Sequence, residues 1–171
     1  MSLTIGTEYN AYTYEAKGTS GTNNKSNNVS IYDQQILDEY EAEMAAKRQK
    51  NIDAGEAAIE KANAYGYDEF SLSMQADQNG KKTGMVAIVL NEDITFMDIA
   101  LKLGIPKGKI YEYNKAILDK LGTKTIGYTG IETHDTVEAP KGTKLVIPGG
   151  FLNPQKPIGQ KLSDWWNNLT K

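Results

Sequence analysis

The sequence predicts an α+β fold, and three observations carry the prediction. Between Phe70 and Asp77 the apolar residues Phe70, Leu72, Met74 and Ala76 alternate with polar ones, the period-2 signature of a half-buried strand. A second apolar run, Gly84 to Leu90, precedes two stripes at helical spacing, Phe96-Ile99-Ala100-Leu103 and Ile110-Tyr113-Ile117-Leu121. Leu145-Val146-Ile147 then makes a last short strand, stopped by Pro148-Gly149-Gly150. Met85 to Gly149 therefore reads as strand, helix, helix, strand.

The remaining elements follow in chain order. Residues 1–30 are rich in Gly, Ser, Thr, Asn and Tyr, with too few large apolar side chains to offset the cost of ordering the backbone. Tyr9, Tyr12 and Tyr14 recur loosely there, so the segment is either an unstructured tail or an extended arm that orders on a partner. Residues 31–66 form a helical spacer, because Tyr32 to Tyr65 is rich in Ala, Glu, Lys and Gln. Ser30 and Asp33 are candidate N-caps. A break is expected at Asn51, since Asp53-Ala54-Gly55-Glu56 has the form of a capping box. Eight acids and four bases lie between Asp33 and Lys61. The apolar stripe (Ile36, Leu37, Tyr40, Met44, Ile52, Ile59) is thin and holds no sustained heptad. It suits a solvated helix docked along one edge, or one pairing with a neighbouring subunit.

Residues 67–150 hold the main domain. Asn79-Gly80 predicts a tight hairpin turn after the first strand, which extends the sheet to three strands. Thr95 is positioned as an N-cap with Asp98 three residues on, Gly104 ends that helix, Pro106 opens the next turn and Gly122 stops the second helix. Residues 151–171 comprise a stiff Pro154-Gln155-Lys156-Pro157 linker and a short amphipathic helix, with Ile158, Leu162, Trp165, Trp166 and Leu169 on one side. Packing back on its own domain is one use of that side. A partner groove contacted by Leu162, Trp165, Trp166 and Leu169 is another, since tryptophans are frequent interface anchors.

Composition excludes several function classes. With no cysteine there are no disulfides, thiolate metal sites or cysteine nucleophiles. A formal net charge of -3 gives no basic field for nucleic acid. A mean hydropathy of -0.53 and the lack of any apolar run near the roughly 18 residues of a membrane span leave no transmembrane segment to expect. Met1 to Asn10 lacks a basic start followed by an apolar core, so no secretory signal is expected, and the chain is cytoplasmic, virion-associated or exported by another machine. The sole histidine, His134, sits in a polar loop with Asp135 and Glu138; a single imidazole among scattered acids predicts no metal centre. No nucleophile motif or paired-acid motif is present, so neither an enzyme nor a cofactor is expected.

The β-α-α-β unit resembles the LysM module over about 65 residues. The family opens on Gly-Asp-Thr-Leu with Ile-Ala two positions further on, where this chain has Asp93-Ile94-Thr95-Phe96 and Ile99-Ala100. The family's Asn at the end of the second helix corresponds to Asn114, and its closing Gly-x-x-Leu-x-Ile-Pro to Gly142, Leu145, Ile147 and Pro148. Two features depart from the pattern: Asp93-Ile94 replaces Gly-Asp, and the connection from Asn114 to Leu145 is much longer. The resemblance implies a groove between the loop after the first strand and the loop before the last, formed by Asp93, Ile94, Thr95, Phe96, Asn114, Ile117, Leu118, Tyr128 and Ile131. It implies binding of N-acetylglucosamine in peptidoglycan, anchoring a bacterial or phage assembly to the cell wall. The alternative is a scaffold subunit of a phage tail, contractile injection system or other envelope machine, in which the same fold docks protein. The inserted segment Thr123 to Lys141 either walls the groove off or builds a new surface with Tyr128 and Ile131. Partners are thus peptidoglycan or other protein subunits, including further copies of the chain.

Overall fold

The computed structural model describes residues 31–106, 108–126 and 130–169. Their order is α1 (Ile31–Ala64), β1 (Phe70–Ala76), β2 (Lys82–Leu90), β3 (Ile94–Thr95), α2 (Phe96–Leu103), α3 (Lys109–Leu121), β4 (Lys124–Ile126), β5 (Ile131–Thr133), β6 (Glu138–Ala139) and β7 (Lys144–Pro148). A 3-10 turn (Gly149–Phe151) and α4 (Ile158–Leu169) follow. The described chain is thus mixed α/β, with four helices and small antiparallel sheets. The expected arm over residues 1–30, and Tyr128, lie outside the described residues.

Strand β2 is the centre of a three-stranded sheet of order β1-β2-β7. It pairs Phe70 with Leu90 on one side and Met85 with Pro148 on the other. Its Val86, Ile88 and Leu90 join Leu145, Ile147, Phe96, Ile99, Leu103, Ile110 and Leu118 in one core. The hairpin turn is wider than Asn79-Gly80 alone predicts. Asp77 accepts from the backbone N–H groups of Asn79 and Lys81, both at 2.9 Å, and pairs by its own N–H with Lys81 O. An aspartate side chain that imitates a turn of backbone holds the five-residue connection, with Gly80 at positive φ.

Helix α1 runs unbroken for 34 residues, so the expected break at Asn51 does not occur. Asp53 accepts from Gln49 Nε2 at 2.7 Å instead of capping a new helix. Gly55 serves close approach: a Cβ there would lie 2.9 Å from Val86 Cγ2 and 3.3 Å from Gly149 Cα. The second half of α1 packs against β2 and the 3-10 turn, burying Ala58 and Ala62. Glu56 is ion-paired with Lys82.

Thr95 caps α2 as its spacing predicts, accepting from Asp98 N at 3.1 Å, and Gly104 ends the helix in the left-handed region. The buried face of α3 is centred one residue later than the stripe suggests: Ile110, Asn114 and Leu118 are buried, whereas Tyr113, Ile117 and Leu121 are half-buried. The cause is Asn114 itself, whose φ of -130° and ψ of 28° interrupt the helix.

The segment 152–157 is strapped to the domain and is not a free linker. Asn153 and Gln155 donate backbone N–H groups to Leu103 O and Lys102 O, both at 2.8 Å, satisfying carbonyls at the end of α2. Pro154 is buried. Helix α4 beyond it is exposed along its whole length.

Glu69, one-fifth exposed, ion-pairs with Lys102 and ties the start of β1 to α2. Burial alone would raise its carboxyl, but the hydrogen bond and charge of Lys102 outweigh that and hold it below its ordinary value of 4.5. A depressed folded-state acid stabilises above its unfolded pKa, and the contribution is lost as pH falls through the folded value. Melting curves between pH 7 and pH 3 are therefore expected to show an acid-side loss of stability from this group, reduced by water around Lys102. Glu69→Gln should remove that part of the slope; an unchanged slope would contradict the assignment.

Candidate functional site: an apolar cleft beneath the inserted segment

The inserted segment folds onto the start of α2. Strand β6 pairs with β3, aligning Ile94 with Ala139 and Thr95 with Glu138, and Val137 and Ala139 enter the core. Phe96 N–H donates to Val137 O at 3.3 Å and Met97 N–H to Asp135 O at 2.9 Å. With Asp98 N–H engaged by Thr95, three of the N–H groups that a helix start leaves open are satisfied internally.

Between this segment and the two helices lies a cleft of about 570 Å³. Phe96, Met97, Ala100 and Leu101 of α2 form one wall, and Ile105, Pro106 and Gly108 of the connection close one end. Ile110, Tyr111 and Leu118 of α3 form the other wall, and Glu132, Thr133, His134 and Asp135 make a polar rim. Met97 and Leu101, at helical spacing i,i+4, are 44% and 64% exposed, an unusual position for two large apolar side chains in a small domain.

The rim is held by His134. Its ring stacks on Tyr111, with centroids 4.9 Å apart and planes 23° from parallel. Nδ1 lies 2.8 Å from Gly122 O. A carbonyl only accepts, so Nδ1 carries the hydrogen and Nε2 is the acceptor of the neutral ring. His134 is thus a half-buried clamp between the segment and the end of α3, not the solvated loop residue its polar neighbours suggest. Tyr111 OH donates to Asp119 Oδ1 at 3.1 Å and accepts from Lys115 Nζ at 2.9 Å. The Lys115 ion pair holds the Asp119 carboxyl below the usual range and the Lys115 ammonium above it. Among the described residues no three His, Asp or Glu side chains gather to hold a metal ion. Nor is any described helix long and apolar enough to cross a membrane.

The groove residues expected from the sequence divide into four groups. Phe96 and Leu118 line the cleft. Ile94 is core and Ile117 packs against it; Thr95 is a cap, and Asp93, which does not line the cleft, accepts from Lys141 N–H at 2.7 Å. Ile131 is 60% exposed and Tyr128 lies outside the described residues, so neither is placed at the cleft. Asn114 is corrected from groove to core: it is 5% exposed and its amide is fully engaged. Nδ2 donates to Ile110 O (2.9 Å) and Val146 O (2.8 Å), and Oδ1 accepts from Val146 N–H (2.7 Å). Of the amphipathic hook, Leu162, Trp165, Trp166 and Leu169 are 58–62% exposed, so α4 does not bury its apolar side on its own domain. Met97, Leu101, Tyr111 and His134 are cleft residues the sequence reading passed over.

Comparison of the chain with protein-family models, with curated proteins and with solved structures finds no match.

Proposed function

We propose that β2, α2, α3 and β7 form a LysM-like unit that binds without catalysis, and that its cleft docks a protein segment within a larger assembly. The observation that carries this reading is the pairing of an apolar floor, exposed at Met97 and Leu101, with a helix start whose N–H groups already bond to Asp135 and Val137. An N-acetyl sugar needs free backbone donors and acceptors at the first loop. An apolar side chain needs only the cleft. The exposed tryptophans of α4 suit the same scaffold role.

One observation favours a second reading, peptidoglycan binding. The rim of Glu132, Thr133, His134 and Asp135 faces an apolar floor, an arrangement that also suits an acetamido group. The two readings separate in one experiment, sedimentation of the full chain with insoluble peptidoglycan and, in parallel, with its co-encoded proteins. The expected result is co-sedimentation with protein only. That binding should weaken at least about tenfold in Leu101→Asp, which removes an exposed apolar anchor without disturbing the core. Retention on peptidoglycan that Leu101→Asp abolishes would overturn the docking reading in favour of the sugar.

A further inference from the structure

The first half of α1 projects from the domain. Every residue from Tyr32 to Lys50 is exposed, and contact with the body begins at Arg48, whose carbonyl lies beside Gly84. At 1.5 Å per residue the stretch from Tyr32 to Arg48 is roughly 25 Å long. Tyr32, Ile36, Tyr40 and Met44 form an i,i+4 ladder along it, with Leu37 beside them, and these five side chains are 39–71% exposed.

The charges say what covers the ladder. Within α1, five acids (Asp33, Asp38, Glu39, Glu41, Glu43) and no base lie before Lys47, whereas Lys47, Arg48 and Lys50 cluster towards its middle. Side by side in the same direction, two copies would set acid against acid and base against base. Reversed, each acidic end meets a basic one. Asp33, Tyr40 and Lys47 are seven residues apart in turn, so they lie along one line of the helix and share its contact face. We infer that this half of α1 is a self-association surface, through which a second copy of the chain pairs antiparallel about a two-fold axis at Tyr40.

The match is internally consistent. Asp33 of each copy faces Lys47 of the other, Ile36 faces Met44, the two Tyr40 rings meet at the axis, and Tyr32 lies beside Arg48. The overlap ends where each helix meets its own domain, so the apolar ladder is covered along its whole length and the contact closes on itself as an isologous dimer. Nothing in it depends on what occupies the cleft.

Sedimentation of the full chain over a concentration series tests it. The expected result is a monomer–dimer equilibrium that Ile36→Asp with Tyr40→Asp shifts to monomer, while the melting temperature at a dilution where both chains are monomeric is unchanged because neither residue touches the core. Reversing the basic end (Lys47→Glu, Arg48→Glu, Lys50→Glu) should weaken the dimer about tenfold or more, since several pairs turn repulsive at once. The chain has no cysteine, so direction can be read by cross-linking. Asp33→Cys should form a disulfide with Lys47→Cys in a mixture, and neither variant with itself. A chain that stays monomeric at every concentration, including one whose helix pairs only with a different protein, overturns the inference. So does a dimer that survives Ile36→Asp with Tyr40→Asp, or a self-cross-linked Asp33→Cys.

Discussion

Gly149→Ala is expected to undock α1 from the sheet. A Cβ at this position would fall far inside contact distance of Asn51 O and 2.7 Å from both the N and Cα of Gly55. All three are backbone atoms of a helix, so no side chain can rotate away, and the helix must move as a unit. Moving it strips cover from Ala58, Ala62 and Val86, which are at most 4% exposed. The cost should reach about 3 kcal/mol, the upper end for overpacking. At roughly 2–4 °C per kcal/mol for a chain of this size, that lowers Tm by about 6–12 °C. Gly150→Ala is the control. There a Cβ meets only the Asn51 side chain, which can turn, so the effect should be under about 1 kcal/mol. Equal melting temperatures for Gly149→Ala and the unaltered chain would show that α1 is not held where the glycine contact places it.

Loss of the Asn114 amide is the second large effect. β7 is an edge strand, and the N–H and C=O of Val146 would have no partner there without Asn114, which answers both as a neighbouring strand would. Asn114→Leu leaves these two groups and Ile110 O without the amide. At about 1–3 kcal/mol for each group left unsatisfied, and with the two Val146 groups only partly buried, the total should fall in the lower part of the range, roughly 3–5 kcal/mol by chemical denaturation. Asn114→Asp gives a finer test. An ionised carboxylate still accepts from Val146 N–H but faces two carbonyl oxygens, so the folded state favours the protonated acid and raises its pKa. The native state then binds more protons than the unfolded chain, and stability falls as pH rises through the window between the two values. The variant should therefore be closer to the unaltered chain at pH 4 than at pH 7. The opposite trend would mean that Asn114 donates no hydrogen bond to those carbonyls.

What the sequence made legible follows from how local each signal is. Thr95, Gly104 and the alternation from Phe70 to Met74 are decided within a turn or a strand, and the structure has them where their spacing predicts; past Met74 the register shifts and Ala76 is exposed. Gly55 was misread because its reason is 94 residues away, at Gly149. A glycine before Glu56 looks like a helix start until the close approach of another backbone is known. Asn114 was misread for a related reason: a polar residue at the end of a helix resembles a ligand contact, and only the edge position of β7 shows it to be a backbone substitute. The cleft had a signal that was present but unused. In α2 only Asp98 and Lys102 are charged, and Met97 and Leu101 extend the apolar surface beyond the core-facing stripe. A helix apolar on nearly every side has two faces to cover. His134 had no such signal, because its stacking on Tyr111 and its bond to Gly122 O depend on how the inserted segment folds back.

Hydroxyl-radical footprinting of the full chain, free and bound to its co-encoded proteins, tests the docking cleft most directly. Met97 and Leu101 should oxidise readily in the free chain and become protected several-fold on binding, while Met85, half-buried in β2, reacts at the same rate in both states. Unchanged oxidation of Met97 and Leu101 in a complex that has demonstrably formed would contradict the account.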